Sequence, residues 1–186
     1  VDRTLAQLRH YPGGITYIHC PGWTASRIVA SARQLHAKGL CDVAIVDYLQ
    51  KVTLAYRHGQ NKADALGDCA ESFKIAGEQM GVAWVVGSQF NRAAEYAERK
   101  TGTFIRGSGE PHEKANLVLT LDREICDAER RDEHNHVIAA VGERAPEMTV
   151  RVDKNTGGPT GDAQLIMNAA RFLILDATTE TAPLNF

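Results

Sequence analysis

The residues Cys41-Asp42-Val43-Ala44-Ile45-Val46-Asp47-Tyr48-Leu49-Gln50 run four apolar side chains straight into a carboxylate. An unbroken apolar run of that kind predicts a strand buried on both faces. The Asp47 side chain then emerges at the carboxyl edge of a sheet. Ligands of open α/β sheets bind at that edge, and an acid there can hold the water shell of a nucleotide-bound Mg²⁺. Further along, Val82-Ala83-Trp84-Val85-Val86 repeats the apolar run, passes through Gly87-Ser88, and then presents Gln89, Asn91 and Arg92. An amide at a neighbouring strand end can donate to a γ-phosphate or orient an attacking water. Taken singly, each run also has a plain structural reading: a buried strand that happens to end in Asp, and a Ser-Gln turn.

The elements needed to hold such residues can be read from the rest of the chain. Residues 2–10 predict a short helix stopped at Tyr11-Pro12-Gly13-Gly14, and Ile15–His19 a short strand ending at Cys20-Pro21-Gly22. Thr24 is placed to cap a helix over Ala25–Ala37 with Ile28, Ala32 and Leu35 on one face. Asn61–Met80 predicts the longest helix, with Ala65, Leu66, Cys69, Phe73, Ala76 and Met80 as its apolar stripe and Gly81 as its stop. Strands follow at Asn116–Leu121, Met148–Val152, Ala163–Met167 and Phe172–Leu175, and the charged stretch 122–135 reads as a solvated hairpin connection. Strand–helix–strand alternation followed by a meander predicts an α/β fold with a mixed sheet.

Composition narrows the function classes. The 186 residues are 44% hydrophobic and 24% charged, as expected of one globular domain. The net charge of -2 puts any nucleic-acid contact on a local loop or rim rather than on a basic surface. Cys20, Cys41, Cys69 and Cys126 are scattered without paired spacing, which fits reduced thiols in a cytosol. No apolar run approaches the roughly 18 residues of a membrane span. The chain begins at Val1 within a helical pattern and is read as a fragment or trimmed chain.

The two strand-end runs together, joined by a helix that opens on Asn61-Lys62, closely resemble the DnaB-type replicative DNA helicases. The resemblance continues in order along nearly the whole chain. It includes His19-Cys20-Pro21-Gly22-Trp23-Thr24 ahead of the first helix, and Arg106-Gly107-Ser108-Gly109 followed by Ala115-Asn116-Leu117-Val118-Leu119. It ends with Lys154-Asn155-Thr156-Gly157-Gly158-Pro159-Thr160-Gly161. It implies a RecA-like core with a mostly parallel sheet flanked by helices and ending in an antiparallel meander. The expected organisation is a single domain over 1–186, incomplete on its N-terminal side.

The resemblance also implies roles. Asp47 is the Walker B acid on Mg²⁺, acting through water, and Gln89 the γ-phosphate sensor. Lys154 reaches across a subunit interface to a neighbour's ATP. Arg106, Gly107, Ser108 and Gly109 form the central loop that grips single-stranded DNA. A guanidinium beside glycine backbone suits phosphate contact, although an exposed charged loop accounts for the same residues. The Gly157–Gly161 stretch likewise reads as a hairpin turn, one stiff enough to present Lys154. ATP and Mg²⁺ are the implied cofactors. The implied partners are single-stranded DNA, five further copies in a homo-hexamer, and a primase or helicase loader. The implied setting is the cytoplasm, in bacterial, phage or plasmid replication.

Three departures qualify this expectation. No G-x-x-x-x-G-K-[ST] phosphate cradle occurs in the 186 residues. Thr156 stands where the family has its arginine finger, and Gly107 replaces the family's loop Glu. The chain by itself is therefore expected to be inactive. A RecA-like binding or regulatory module without ATPase activity is the alternative reading, while a recombinase or clock-type ATPase fits the last two blocks poorly. Cys126, His134 and His136 lack zinc spacing, and His112 and Glu113 are expected to be solvated surface groups.

Overall fold

The computed structural model of the protein describes residues 13–91, 94, 101–105, 109–131, 134–169 and 173–177. They fall into two units, Val1–Gln89 and Phe90–Phe186. The helix expected over residues 2–10 and the Arg92 position lie outside the described residues.

In the first unit, helix α1 spans Ala25–His36, strand β1 Val43–Val46, helix α2 Lys62–Met80 and strand β2 Ala83–Val86. Asn61 caps α2, its side-chain oxygen accepting from the Asp64 N–H at 3.0 Å. Gly81 ends α2 in the left-handed conformation at φ 69°, which a Cβ would disfavour, and donates its N–H to the Gly77 carbonyl. Thr24 occupies the N-cap position of α1 without a capping side-chain bond, so the expected cap is positional only. A crossover through α2 lets β1 and β2 pair in parallel, Val43 opposite Ala83 through Val46 opposite Val86.

Packing behind this pair is local and dense. Leu66 and Phe73 of α2 and Leu49, just beyond β1, are almost wholly buried, joined by Ala25, Val46, Val52 and Cys69. Phe73 stacks on Trp84 with ring centroids 4.8 Å apart. Burial pushes the Cys69 thiol up to about 11. The opposite face of β1 and β2 is exposed, Ile45 at 74%, with Val43 and Val85 exposed beside it. This corrects the expectation of strands buried on both faces: the helices described here cover one side alone. The expected Ile15–His19 strand does not form, and Ile15 and Tyr17 are exposed with no ladder beside them.

In the second unit, a short helix α3 (Glu110–Lys114) leads into strand β3 (Leu117–Asp122). Strands β4 (Arg130–Arg131), β5 (Val137–Ala139), β6 (Glu147–Asn155), β7 (Gly161–Asn168) and β8 (Leu173–Asp176) follow. The order β3-β6-β7-β8 is antiparallel throughout, and β4, in the charged region, pairs with β5 just beyond it in a small antiparallel ladder. The terminal meander is as expected. The mostly parallel sheet is not: among the described residues β1–β2 is the one parallel pair of strands, because the later strands are joined by turns and β3 pairs with β6. Facing pairs hold the register, as where the Arg151 guanidinium donates to both carboxylate oxygens of Asp162 at 3.0 and 3.1 Å.

Truncating the buried ring tests this account of the first unit. Phe73→Ala should cost about 3–5 kcal/mol, read as a lower denaturant midpoint by Trp84 fluorescence. A change below about 1 kcal/mol would place Phe73 outside the core.

Candidate functional site

Asp47 leaves the end of β1 with its side chain exposed, and Gly87 leaves the end of β2 beside it. The Gly87 N–H donates to the Val46 carbonyl at 2.9 Å, and the Leu49 N–H donates to the Gly87 carbonyl at 2.8 Å. The two strand ends are thus stitched together one residue beyond the ladder. A Cβ at Gly87 would make ordinary contacts, 3.6 Å from Tyr48 Cβ and the Val46 carbonyl and 3.7 Å from Asp47 Oδ1, so the two exits lie within one side chain's reach of each other.

One side chain then joins the two exits. Gln50 donates from Nε2 to Ser88 Oγ at 2.9 Å and to the Gln89 carbonyl at 3.5 Å, while its Oε1 accepts the Gln89 N–H at 3.3 Å. The sequence pattern alone assigns Gln50 no role. Its signal was present, an amide three residues past the acid, but the partners lie 38 and 39 residues away. Asp47 and Gln89 therefore share one edge, as expected, with Gln50 holding the second to the first. An exposed carboxylate at one strand exit and, at the other, an exposed Gln89 whose backbone is held by Gln50 fit part of a Mg²⁺–nucleotide site. Mg²⁺ takes one or two carboxylates and otherwise phosphate and water oxygens.

The remaining candidates belong to the second unit. Arg106, Gly107 and Ser108 lie outside the described residues. Gly109 precedes α3, and its carbonyl accepts the N–H groups of His112 at 3.0 Å and Glu113 at 3.3 Å. Asn155–Thr160 is the expected hairpin turn between β6 and β7, closed by Asn155, which accepts the Gly157 N–H and donates to the Pro159 carbonyl. Thr156 donates its N–H to the Asn116 carbonyl at 2.9 Å. Lys154 stands at the end of β6 rather than on the turn. Its ammonium donates to the His112 carbonyl at 3.2 Å and the Glu113 carbonyl at 2.6 Å, two of the last-turn acceptors a helix leaves unpaired.

His112 departs from expectation. Its side chain is 22% exposed rather than solvated, and its Nε2 lies 3.2 Å from Asp153 Oδ2, at ion-pair distance but off the line of a hydrogen bond. The same carboxylate oxygen accepts the Gly102 N–H at 2.7 Å. Glu113 is exposed, as expected. Cys126 is buried with Ala139 and Ala145, while the His134 and His136 rings meet edge-on at 6.3 Å. Among the described residues no three or more His, Cys, Asp or Glu side chains gather in a metal-holding group, and no helix is long and apolar enough to cross a membrane.

Residues 3–173 match the family model described as the DnaB-like helicase C-terminal domain. The chain is 26% identical over 154 residues to the replicative DNA helicase DnaB of Geobacillus stearothermophilus. It is 24% identical over the same length to the replicative DNA helicase DnaC of Bacillus subtilis. Each match takes in 82% of this chain and 32% of the relative, so the chain spans about a third of the length of these proteins. Two solved structures share its fold. An ATPase domain superposes with a TM-score of 0.71 at 18% identity, over 94% of this chain and 64% of that one. A DnaB-like replicative helicase, described with its interactions with primase, gives a TM-score of 0.65 at 20% identity over 81% and 34%. The fold is RecA-like by these neighbours.

The tie made by Gln50 has a direct readout. Gln50→Ala should speed amide exchange at Gln89 roughly two- to tenfold, the worth of one net hydrogen bond. The Gly87 amide, bonded to the Val46 backbone, should stay unchanged. Equal acceleration at both amides would mean that the strand ends, not Gln50, hold Gln89.

Proposed function

The chain belongs to the DnaB-like helicase C-terminal domain family, and from that membership we propose that it forms the downstream part of the ATP site of a ring-shaped DNA-unwinding motor. The observation that carries the reading is the shared edge of β1 and β2, where an exposed carboxylate and a backbone-fixed amide leave the sheet side by side. In a motor of this kind the protein mainly positions groups and stabilises charge. Asp47 orients the water shell of a Mg²⁺ ion, which when bound neutralises developing charge on the phosphates. Gln89, by the family resemblance, turns its amide to the terminal phosphate or the attacking water. Gln50, bonded to the Gln89 backbone, passes any shift at the Asp47 exit to the Gln89 exit.

The remaining assignments rest on the family resemblance. Arg106 with Gly107, Ser108 and Gly109 grips the phosphates of single-stranded DNA, a contact that holds any sequence. Lys154 serves the ATP of an adjacent subunit in a homo-hexamer, which requires its ammonium to leave the two α3 carbonyls that hold it here. Hydrolysis at such interfaces moves the gripped strand, and a primase or helicase loader is the fitting partner. The setting is the cytoplasm during bacterial, phage or plasmid replication. None of the 186 residues forms a G-x-x-x-x-G-K-[ST] loop, so any phosphate cradle this site uses comes from outside them. The engaged Lys154 favours a second reading, a RecA-like binding or regulatory module without ATPase activity.

Turnover separates the two readings. In the full-length protein, Asp47→Asn should lower ATP hydrolysis on the order of a hundredfold or more, since a bound metal contributes several kcal/mol of charge stabilisation. Its circular dichroism and melting should stay near wild type, because Asp47 is exposed. A full-length wild type that never hydrolyses ATP selects the module, and near-normal hydrolysis by the variant removes Asp47 from the site.

A further inference from the structure

Arginines in this chain are held by oxygen. Arg33 donates to Gln79 Oε1 at 3.2 Å, and Arg57 stands 3.3 Å from Asp68 Oδ2. In the second unit, Arg123 and Arg144 donate to backbone carbonyls, while Arg130, Arg131 and Arg151 pair with carboxylates. Arg27 is the exception among the described residues. It is exposed, and its guanidinium lies over the Trp23 ring, 4.3 Å from the centroid, with no carboxylate or carbonyl of the chain bonded to it.

That ring is fixed beside the exit of β1. The Trp23 carbonyl accepts the Thr53 N–H at 2.9 Å, and Thr24 bridges Thr53 in parallel. Thr53 lies just past the short helical turn Leu49–Lys51, by which the chain leaves Asp47. Lys51 is a second exposed cation there, with its ammonium 5.9 Å from the Tyr48 ring centroid and no carboxylate partner among the described residues. A cation resting on a ring has fewer rotamers left to lose when an anion binds. The guanidinium also keeps its N–H donors, which lie in its own plane, for that anion.

We propose that Arg27 binds a phosphate group of a nucleotide, free or within a single strand, and that Lys51 adds charge at the same edge. The choice of phosphate among anions rests on the reading of the β1–β2 edge as a nucleotide site. Phosphate suits the guanidinium fork, which can donate two parallel N–H···O bonds to it. Lys51 acts as a point charge. Trp23 is a positioning residue, which holds the guanidinium and touches no phosphate.

Binding by the full-length protein across a range of salt concentrations tests this with two probes. One is a non-hydrolysable ATP analogue with Mg²⁺, the other an oligo-dT strand. Arg27→Gln should weaken one probe roughly tenfold or more at low salt, the worth of a hydrogen bond to a charged group. Its melting should stay near wild type, because Arg27 is exposed. The probe that loses more identifies the source of the phosphate. If it is the strand, the slope of log affinity against log salt should flatten by about one. Arg27→Lys should keep the slope but recover only part of the affinity, since an ammonium lacks the fork. Trp23→Leu keeps the charge, so affinity should fall with the slope unchanged, an outcome that a role in folding alone would not give. Lys51→Gln should weaken the same probe as Arg27→Gln, and loss of the other probe instead would remove Lys51 from the site. Wild-type affinity for both probes in Arg27→Gln overturns the inference. Failure of the analogue to slow amide exchange at Asp47–Gln50 and Gly87–Gln89 in the wild type instead overturns the nucleotide reading of the edge, whatever Arg27 does.

Discussion

Parallel pairing of β1 with β2 in one register is the constraint from which the candidate site follows. Because Val46 stands opposite Val86, the chain leaves both strands at the same level, and Asp47 meets Gly87 rather than a residue above or below it. A shift of one residue would turn every side chain to the other face, sending Val46 out of the core it shares with Leu66 and Phe73. Core packing therefore specifies the register, and the register specifies which polar groups meet at the edge. Gln50 extends that order beyond the ladder, with its amide bonded to both Ser88 and Gln89.

The second unit solves a similar problem with different means. An antiparallel ladder presents alternate faces, yet the short helix before β3 is held by two successive residues of β6. A β-bulge at Asp153 makes this possible, and the Asn155-closed turn just beyond limits how far that strand end can move. Lys154 compensates the helix's free carbonyls. A lysine engaged in this way carries an enthalpic cost for leaving, so its availability to another subunit depends on what else meets those carbonyls.

Much of this could be read from residue types. The Asn61–Met80 stripe, the Gly81 stop and the terminal meander depend on local pattern, and local pattern is what a sequence displays. Asp47 and Gln89 were legible for the same reason, each at the end of an apolar run. Gln50, Asp153 and the parked Lys154 were not, because their partners lie 38 to 51 residues away and a β-bulge leaves no periodic mark. His112 does not read as a partly buried group because its carboxylate partner stands on strand β6, far along the chain. The two-sided burial expected of β1 failed because an apolar run reports what a strand can bury, whereas Ile45 and Val85 are exposed here. The Ile15–His19 run shows the converse limit, since β-prone residues without a paired neighbour form no strand.

The central claim is that nucleotide binds at the common edge of β1 and β2. Hydrogen exchange of the full-length protein, with and without a non-hydrolysable ATP analogue and Mg²⁺, addresses it without reference to catalysis. The account predicts protection of Asp47–Gln50 and Gly87–Gln89, with the opposite strand ends at Val43 and Ala83 unaffected. Saturating nucleotide that protects other segments, and leaves both of these exits exchanging as before, would contradict it.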